Sequence, residues 1–345
     1  MNRTLQVALV VVAVLGLIGG GLWLAVARTA GQQPELVAVK VATPPVLDGE
    51  ADAVWSQARE VVVPVTGGAN LPNGQTTVRL KAVYSGDMVY FLMTWADSTQ
   101  SLRRAPFQKQ ADGSWKKLAD PNDKGSDANL YYEDKMAMIW NMSIKDFAQS
   151  GCFATCHAGE PGKAYGNKYT STPSELADIW HWKSVRTQPV GQIDDQYVDS
   201  TRFDPETARE AGRKSDPRTA GGYADVPLEA GKPKWAAPGN KTAPPYWIID
   251  SQKVALDDAM YKAGDEAASM LVAPFTGDRG DIASRAVYRN GTWTVEFARK
   301  LVTGSVFDVQ FNNLSRPYYF GVAIFDNAQV RHAYQTGATR LTFQP

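Results

Sequence analysis

The chain has 345 residues, with 36 basic and 36 acidic side chains, no net charge and 44% hydrophobic residues. That hydrophobic share excludes a largely disordered polypeptide, and a balanced charge without a long basic run gives nucleic-acid binding no support. Ten tryptophans and 20 prolines point instead to aromatic-lined pockets and much irregular structure.

After Met1, Asn2 and Arg3, the sequence runs from Val7 to Ala27 without a charge and then reaches Arg28. As a helix these residues would span about 30 Å, one bilayer core. The apolar part of a cleavable signal peptide is shorter, about 7–15 residues. Residues 1–28 are therefore expected to be one N-terminal transmembrane helix, retained as a membrane anchor. Ala25-Val26-Ala27 also fits a small-x-small cleavage site, so an export signal is the other reading. Both place the rest of the chain outside the cytoplasm, facing the periplasm or cell exterior. Residues 29–45 are polar and proline-flanked, a linker to a domain expected over 46–345.

Within that domain a short helical turn is expected to bury Trp55. Residues 76–84 alternate Val78, Leu80, Ala82 and Tyr84 on one face, the period-2 signal of a half-buried strand. Ser85-Gly86-Asp87 reads as a turn, and 88–95 as the returning strand. Residues 135–142 form another candidate strand. Residues 184–246 are dense in Asp, Arg, Lys, Pro and Gly without periodicity, and are expected as a long loop insertion. Asn290-Gly291 between alternating segments is a strong hairpin signal, pairing 284–289 with 292–298. Strands are also expected over 306–311, 318–325 and 339–343. The fold class that follows is mainly β, a β-sandwich or barrel with long irregular loops.

The chemistry concentrates in Gly151-Cys152-Phe153-Ala154-Thr155-Cys156-His157, which holds both cysteines and one of three histidines. Two thiols followed directly by an imidazole is how a c-type haem is attached: the thiols add to the vinyl groups and the histidine binds the iron. Three residues separate the cysteines here, where two are usual. The same residues also admit a Cys152–Cys156 disulfide or part of a zinc site, which needs four ligands. A haem iron in an electron carrier takes a second ligand, for which His181 and His332 are the candidates. Met136, Met138 and Met142 lie near the motif in sequence, but methionines on a strand read as core.

Three further features bear on family. Leu47-Asp48-Gly49-Glu50 precedes Trp55; Trp180-His181-Trp182-Lys183 follows the cysteine motif; and Trp293-Thr294-Val295-Glu296-Phe297 comes before Phe320-Gly321-Val322-Ala323-Ile324-Phe325-Asp326. In this order they resemble the ethylbenzene dehydrogenase-type haem-binding domain, over roughly residues 40–345 apart from 187–245. That family includes the γ subunits of dimethyl sulfoxide reductase-type molybdoenzymes and related exported cytochromes. The resemblance implies a β-sandwich holding one haem. In b-type relatives a Met and a Lys bind the iron; here Cys152, Cys156 and His157 stand in the place of that Met, and His332 in the region of that Lys. The relatives keep the Trp-His-Trp segment without using its histidine, which makes His181 the weaker candidate.

The resulting expectation is a membrane-anchored, exported monohaem c-type cytochrome that passes single electrons. One haem c would be attached through Cys152 and Cys156, with His157 and His332 as axial ligands. Its partners would be redox proteins, including molybdoenzyme and iron–sulfur subunits, and the chain itself would not be an enzyme. Leu47-Asp48-Gly49 with Trp55 also occurs in related sandwich modules that bind carbohydrate. The alternative is therefore an exported carbohydrate-binding module with a Cys152–Cys156 disulfide.

Overall fold

Strands dominate the chain because apolar side chains recur at every second position. Val61–Thr66 places Val61, Val63 and Val65 inside and Val62, Pro64 and Thr66 outside. The computed structural model describes residues 33–123, 130–159 and 167–345; among these the fold is mainly β, with one short α-helix, Phe147–Ser150, and scattered single helical turns. The membrane helix expected over 1–28 lies outside the described residues. Among those described, no helix is long and apolar enough to cross a membrane.

The principal sheet has 13 strands. Part of it closes on itself: Gln75–Ser85 pairs with Val61–Thr66 and Glu35–Lys40, Glu35–Lys40 with Thr339–Gln344, and Thr339–Gln344 with Tyr318–Phe325. Ala333–Tyr334 joins Tyr318–Phe325 back to Val61–Thr66 and completes the ring. From Gln75–Ser85 the sheet extends through Met88–Ala96, Thr292–Lys300 and Ala283–Arg289. From Tyr318–Phe325 it extends through Lys135–Asn141, Ala177–Lys183 and Asp194–Val198. Trp95, Trp140, Trp180, Trp182 and Trp293 are buried in the main core, together with Met136 and Met138.

Both expected hairpins are present. Asn290 and Gly291 take φ values of 52° and 73°, the left-handed pair that a two-residue turn between twisted strands requires. The helical turn Ala53–Gln57 buries Trp55, whose indole Nε1 donates to Glu296 at 2.7 Å. The Asp48 and Gly49 amides donate to the other oxygen of that buried carboxylate, at 3.0 and 2.8 Å.

Three expectations about elements are corrected. The linker region carries the strand Glu35–Lys40, because its alternate residues Leu36 and Ala38 are buried in the core. Residues 184–246 are not one long loop: Asp194–Val198 and Arg213–Ser215 extend the main sheet, and Ala220–Asp225 pairs with Met270–Thr276 in a small separate sheet. Polar and charged residues hold these short strands, so no apolar alternation marks them. Residues 306–311 form no strand. There Asp308 accepts from the Thr303 hydroxyl, and the Val309 amide donates to Asp178, local bonds that compete with a strand ladder.

Candidate functional site

The strand Lys135–Asn141 runs into the short helix Phe147–Ser150, and the cysteine segment follows in a single helical turn, Cys152–Ala154. Gly151 is required at this corner. Its φ is +54°, and a Cβ there would lie 2.0 Å from the carbonyl oxygen of Gly337. Gly151 and Gly337 form a parallel bridge, which ties the cysteine segment to the segment bearing His332. Beyond the turn, the His157 amide donates to the Cys152 carbonyl at 2.9 Å and the Thr155 hydroxyl to the Tyr169 carbonyl at 3.1 Å.

These ties bring His157 and His332 together, with their Nε2 atoms 3.3 Å apart and their rings nearly perpendicular. The His332 Nδ1 lies 2.9 Å from the Val330 carbonyl. A carbonyl only accepts, so Nδ1 carries the proton and the neutral ring's Nε2 is left with a lone pair. His157 then donates to it. A ring nitrogen freed in this way by a backbone carbonyl on its far side is the arrangement of a metal-binding histidine. Burial, with His157 as the next cause, lowers the His332 pKa to about 4, and burial lowers that of His157 as well. Both imidazoles are thus neutral at physiological pH, the form that binds a metal.

Aromatic rings frame the pair. Tyr334 lies 4.5 Å from His157, centroid to centroid, and Phe325 lies 4.8 Å from His332. Phe153 packs against both His157 and Tyr334 and is 40% exposed. Lys135 sits over Phe325 and donates to the Gln329 carbonyl. His181 is not part of the cluster. It stacks on Phe325, so that ring touches both His181 and His332, and its Nδ1 is 3.1 Å from Gln196 Oε1. Burial, then Lys183, pushes its pKa well below the usual histidine range.

The two cysteines differ in setting. Cys152 is buried, and its Sγ would lie only 2.8 Å from a Cβ on Gly321. Burial, then Cys156, pushes its thiol far up. Cys156 is half-buried, and burial pushes its thiol up to about 11. Both thiols are free. The disulfide of the carbohydrate-binding alternative is therefore not formed.

Sequence reasoning missed Tyr334, Phe325 and Gly321. Tyr334 had a local signal, because residues 332 and 334 share one side of an extended segment. The roles of Phe325 and Gly321 depend on which elements pack together, and nothing local marks them.

The sequence profile described as ethylbenzene dehydrogenase matches residues 52–337. Among curated proteins none matches the sequence. Three solved structures are similar to the chain at low identity. A family 9 carbohydrate-binding module from Caldicellulosiruptor kristjanssonii in complex with cellotriose is 9% identical, with 90% of this chain and 95% of that chain covered and a TM-score of 0.34. The same organism's module in complex with glucose is 10% identical, covering 89% and 96%, with a TM-score of 0.33. A putative carbohydrate-binding protein from Bacteroides uniformis is 8% identical, covering 91% and 100%, with a TM-score of 0.37. Against the expectation of a membrane-anchored, electron-passing c-type cytochrome stands this correction: the three similar solved structures are described as carbohydrate-binding proteins and not as cytochromes. The resemblance read from the Leu47-Asp48-Gly49, Trp-His-Trp and closing strand motifs agrees with the matched profile, and the chain belongs to the ethylbenzene dehydrogenase family.

Proposed function

We propose that this chain is a ligand-binding β-sandwich rather than a catalyst, and that its ligand is held at the His157–His332 pair. The observation that carries the reading is the 3.3 Å approach of two neutral imidazole nitrogens from segments 175 residues apart. One of them is freed for coordination by the Val330 carbonyl.

Donor chemistry favours an iron porphyrin at this pair. A zinc ion takes four protein ligands. Among the described residues, no third Cys, His, Asp or Glu atom joins these two imidazoles in a three-ligand group within 4.8 Å. A porphyrin iron already has four ring nitrogens and asks the protein only for axial ligands. The 3.3 Å approach of the two Nε2 atoms would have to widen to admit the group between the two segments. His157 and His332 would hold the iron, and the half-buried Cys156 would form the thioether. Cys152 is closed off against Gly321, which suits a single linkage through Cys156. Holding the group with two imidazoles of the chain's own would be in keeping with a non-catalytic role. The uncharged Val7–Ala27 run supports export of the domain.

Haem titration of the purified chain tests this reading. A low-spin bis-imidazole spectrum is expected, lost in His332→Ala and unchanged in His181→Ala. A haem stain on a denaturing gel reports the covalent link and should depend on Cys156 more than on Cys152. No spectral change on adding haem would overturn the reading.

One observation favours carbohydrate as the second reading. Phe153 is 40% exposed beside Tyr334 and the imidazoles, an aromatic face on which a sugar ring can stack. Retardation on immobilised cellulose or soluble glucan that Phe153→Ala abolishes, without haem binding, would establish it instead.

A further inference from the structure

Away from the histidine pair, four aspartates converge inside the protein. Asp178 comes from the strand Ala177–Lys183 and Asp195 from the neighbouring strand Asp194–Val198. Asp308 comes from the segment between Thr292–Lys300 and Tyr318–Phe325. One carboxylate oxygen from each of these three lies within 4.8 Å of the others. All three side chains are at most 1% exposed. Asp216, just past Arg213–Ser215, is 3% exposed, and its carboxylate faces Asp178 and Asp308.

A buried carboxylate is normally paired or hydrogen-bonded, because an unpaired charge in the interior is costly. The cation present is Arg299, whose Nη1 is 3.1 Å from Asp178 Oδ2 and 3.6 Å from Asp308 Oδ2. The Oδ2 of Asp178 also accepts from the Trp180 indole and the Val309 amide. Asp178 Oδ1, Asp195 Oδ2 and Asp308 Oδ1 are buried with no donor facing them. Asp216 lies outside the converging trio: both of its oxygens are buried without a donor facing them, and the neighbour within hydrogen-bonding reach is another carboxyl, that of Asp308. One guanidinium does not balance four carboxylates.

We infer that Asp178, Asp195, Asp216 and Asp308 form a binding site for one hard divalent cation, of the calcium class. Calcium takes 6–8 oxygen ligands at about 2.3–2.6 Å, so two oxygens on one ion stand at most about 5 Å apart, a limit this trio meets. Magnesium keeps several of its waters and is seldom held by an all-protein cage, so four carboxylates suit calcium better. Asp281, exposed beside the cluster, faces Asp195 and Asp308 and offers an entry point. Arg299 holds the Oδ2 atoms of Asp178 and Asp308, leaving their Oδ1 atoms to bind the ion.

The test uses the full chain, stripped with EDTA and then exposed to calcium chloride alone. The expected result is uptake near one calcium per chain, measured by equilibrium dialysis with metal analysis, and a melting temperature several degrees higher than in EDTA. Asp195→Asn and Asp216→Asn should each weaken uptake at least about tenfold. Asp216→Asn removes an unpaired buried charge, so in EDTA it should melt no lower than the parent chain, which separates lost binding from lost folding. Magnesium should replace calcium only poorly. No uptake and equal melting temperatures in calcium and EDTA would overturn the inference, as would uptake that both variants leave unchanged. In either case the four carboxylates share protons instead of an ion.

Discussion

The thiol of Cys152 occupies the space over Gly321 that any larger residue would fill, 2.8 Å from where a Cβ would stand. The glycine is required by this approach and not by backbone strain, since it lies inside the strand Tyr318–Phe325. The contact seats the cysteine segment on the sheet and turns Cys152 inward, leaving Cys156 and His157 nearer the surface.

Gly321→Ala is accordingly expected to destabilise the fold by about 1–3 kcal/mol, the usual range for overpacking. Pairing it with Cys152→Ala, which removes the opposing sulfur, should cost less than the sum of the single changes. Urea denaturation of the two single variants and the double variant measures the coupling. Strict additivity would mean that the two residues do not press on one another.

Alkylation should discriminate between the cysteines. The thiolate is the reactive form, and burial pushes the Cys156 thiol up to about 11 and that of Cys152 higher still. Iodoacetamide at pH 8 should therefore label the folded, haem-free chain far more slowly than a free thiol, and Cys156 before Cys152. Mass spectrometry of timed digests reads the order; rapid labelling of Cys152 would contradict its burial.

The lowered pKa of His332 carries a pH dependence of known sign. Between its folded value of about 4 and the unfolded value of about 6.5, the unfolded chain holds more protons than the folded one. This contribution to stability is complete above about pH 6.5 and is lost as pH falls toward 4. His332→Gln should show less loss between pH 7 and pH 5, by about 1–2 kcal/mol. Parallel thermal melts of both proteins across that range check it, and identical slopes would refute it.

Asp97 acts in the opposite direction. Burial, then the neighbouring Asp326, pushes its carboxyl up to about 7. The folded chain keeps a proton there that the unfolded chain releases near pH 4, so stability drains away as pH rises from about 4 to 7. Asp97→Asn keeps an oxygen that can accept from the Thr99 amide and removes the charge. At pH 8 in EDTA the variant should gain about 1–3 kcal/mol, and at pH 4 almost nothing. A variant less stable at pH 8 would show that the ionised form is the favoured one.

Trp55 joins the Leu47-Asp48-Gly49 segment to the sheet through Glu296. Trp55→Phe keeps most of the ring but removes the indole donor on Glu296 Oε1, leaving a buried carboxylate oxygen short of a partner. A loss of about 1–3 kcal/mol is expected in chemical denaturation. Trp55→Phe combined with Glu296→Gln should recover part of it.

Local chemistry made much of this protein legible. The strand Gln75–Ser85 and its return Met88–Ala96 follow from alternation, and the second hairpin follows from Asn290-Gly291. The cysteine–histidine segment stood out because two thiols and an imidazole in seven residues have few purely structural uses. Alternation failed where both sides of a strand are covered. Ala177–Lys183 is buried at every position, so Trp180, His181 and Trp182 show no polar face from which a period could be read. It failed again over 184–246, where ion pairs such as Lys183 with Asp194 and Arg279 with Asp194 hold the structure.

The sequence by itself determined the β character of the chain, the family, and the segment that carries its thiols. Each is encoded in neighbouring residues through side-chain period, turn geometry or motif order. Which histidine meets His157, which cysteine is closed off, and where four aspartates converge were decided by tertiary structure alone. Those relationships reach across the chain, from His157 to His332, Cys152 to Gly321 and Asp178 to Asp308, and a backbone bridge such as Gly151 to Gly337 can be known only once the sheet has closed.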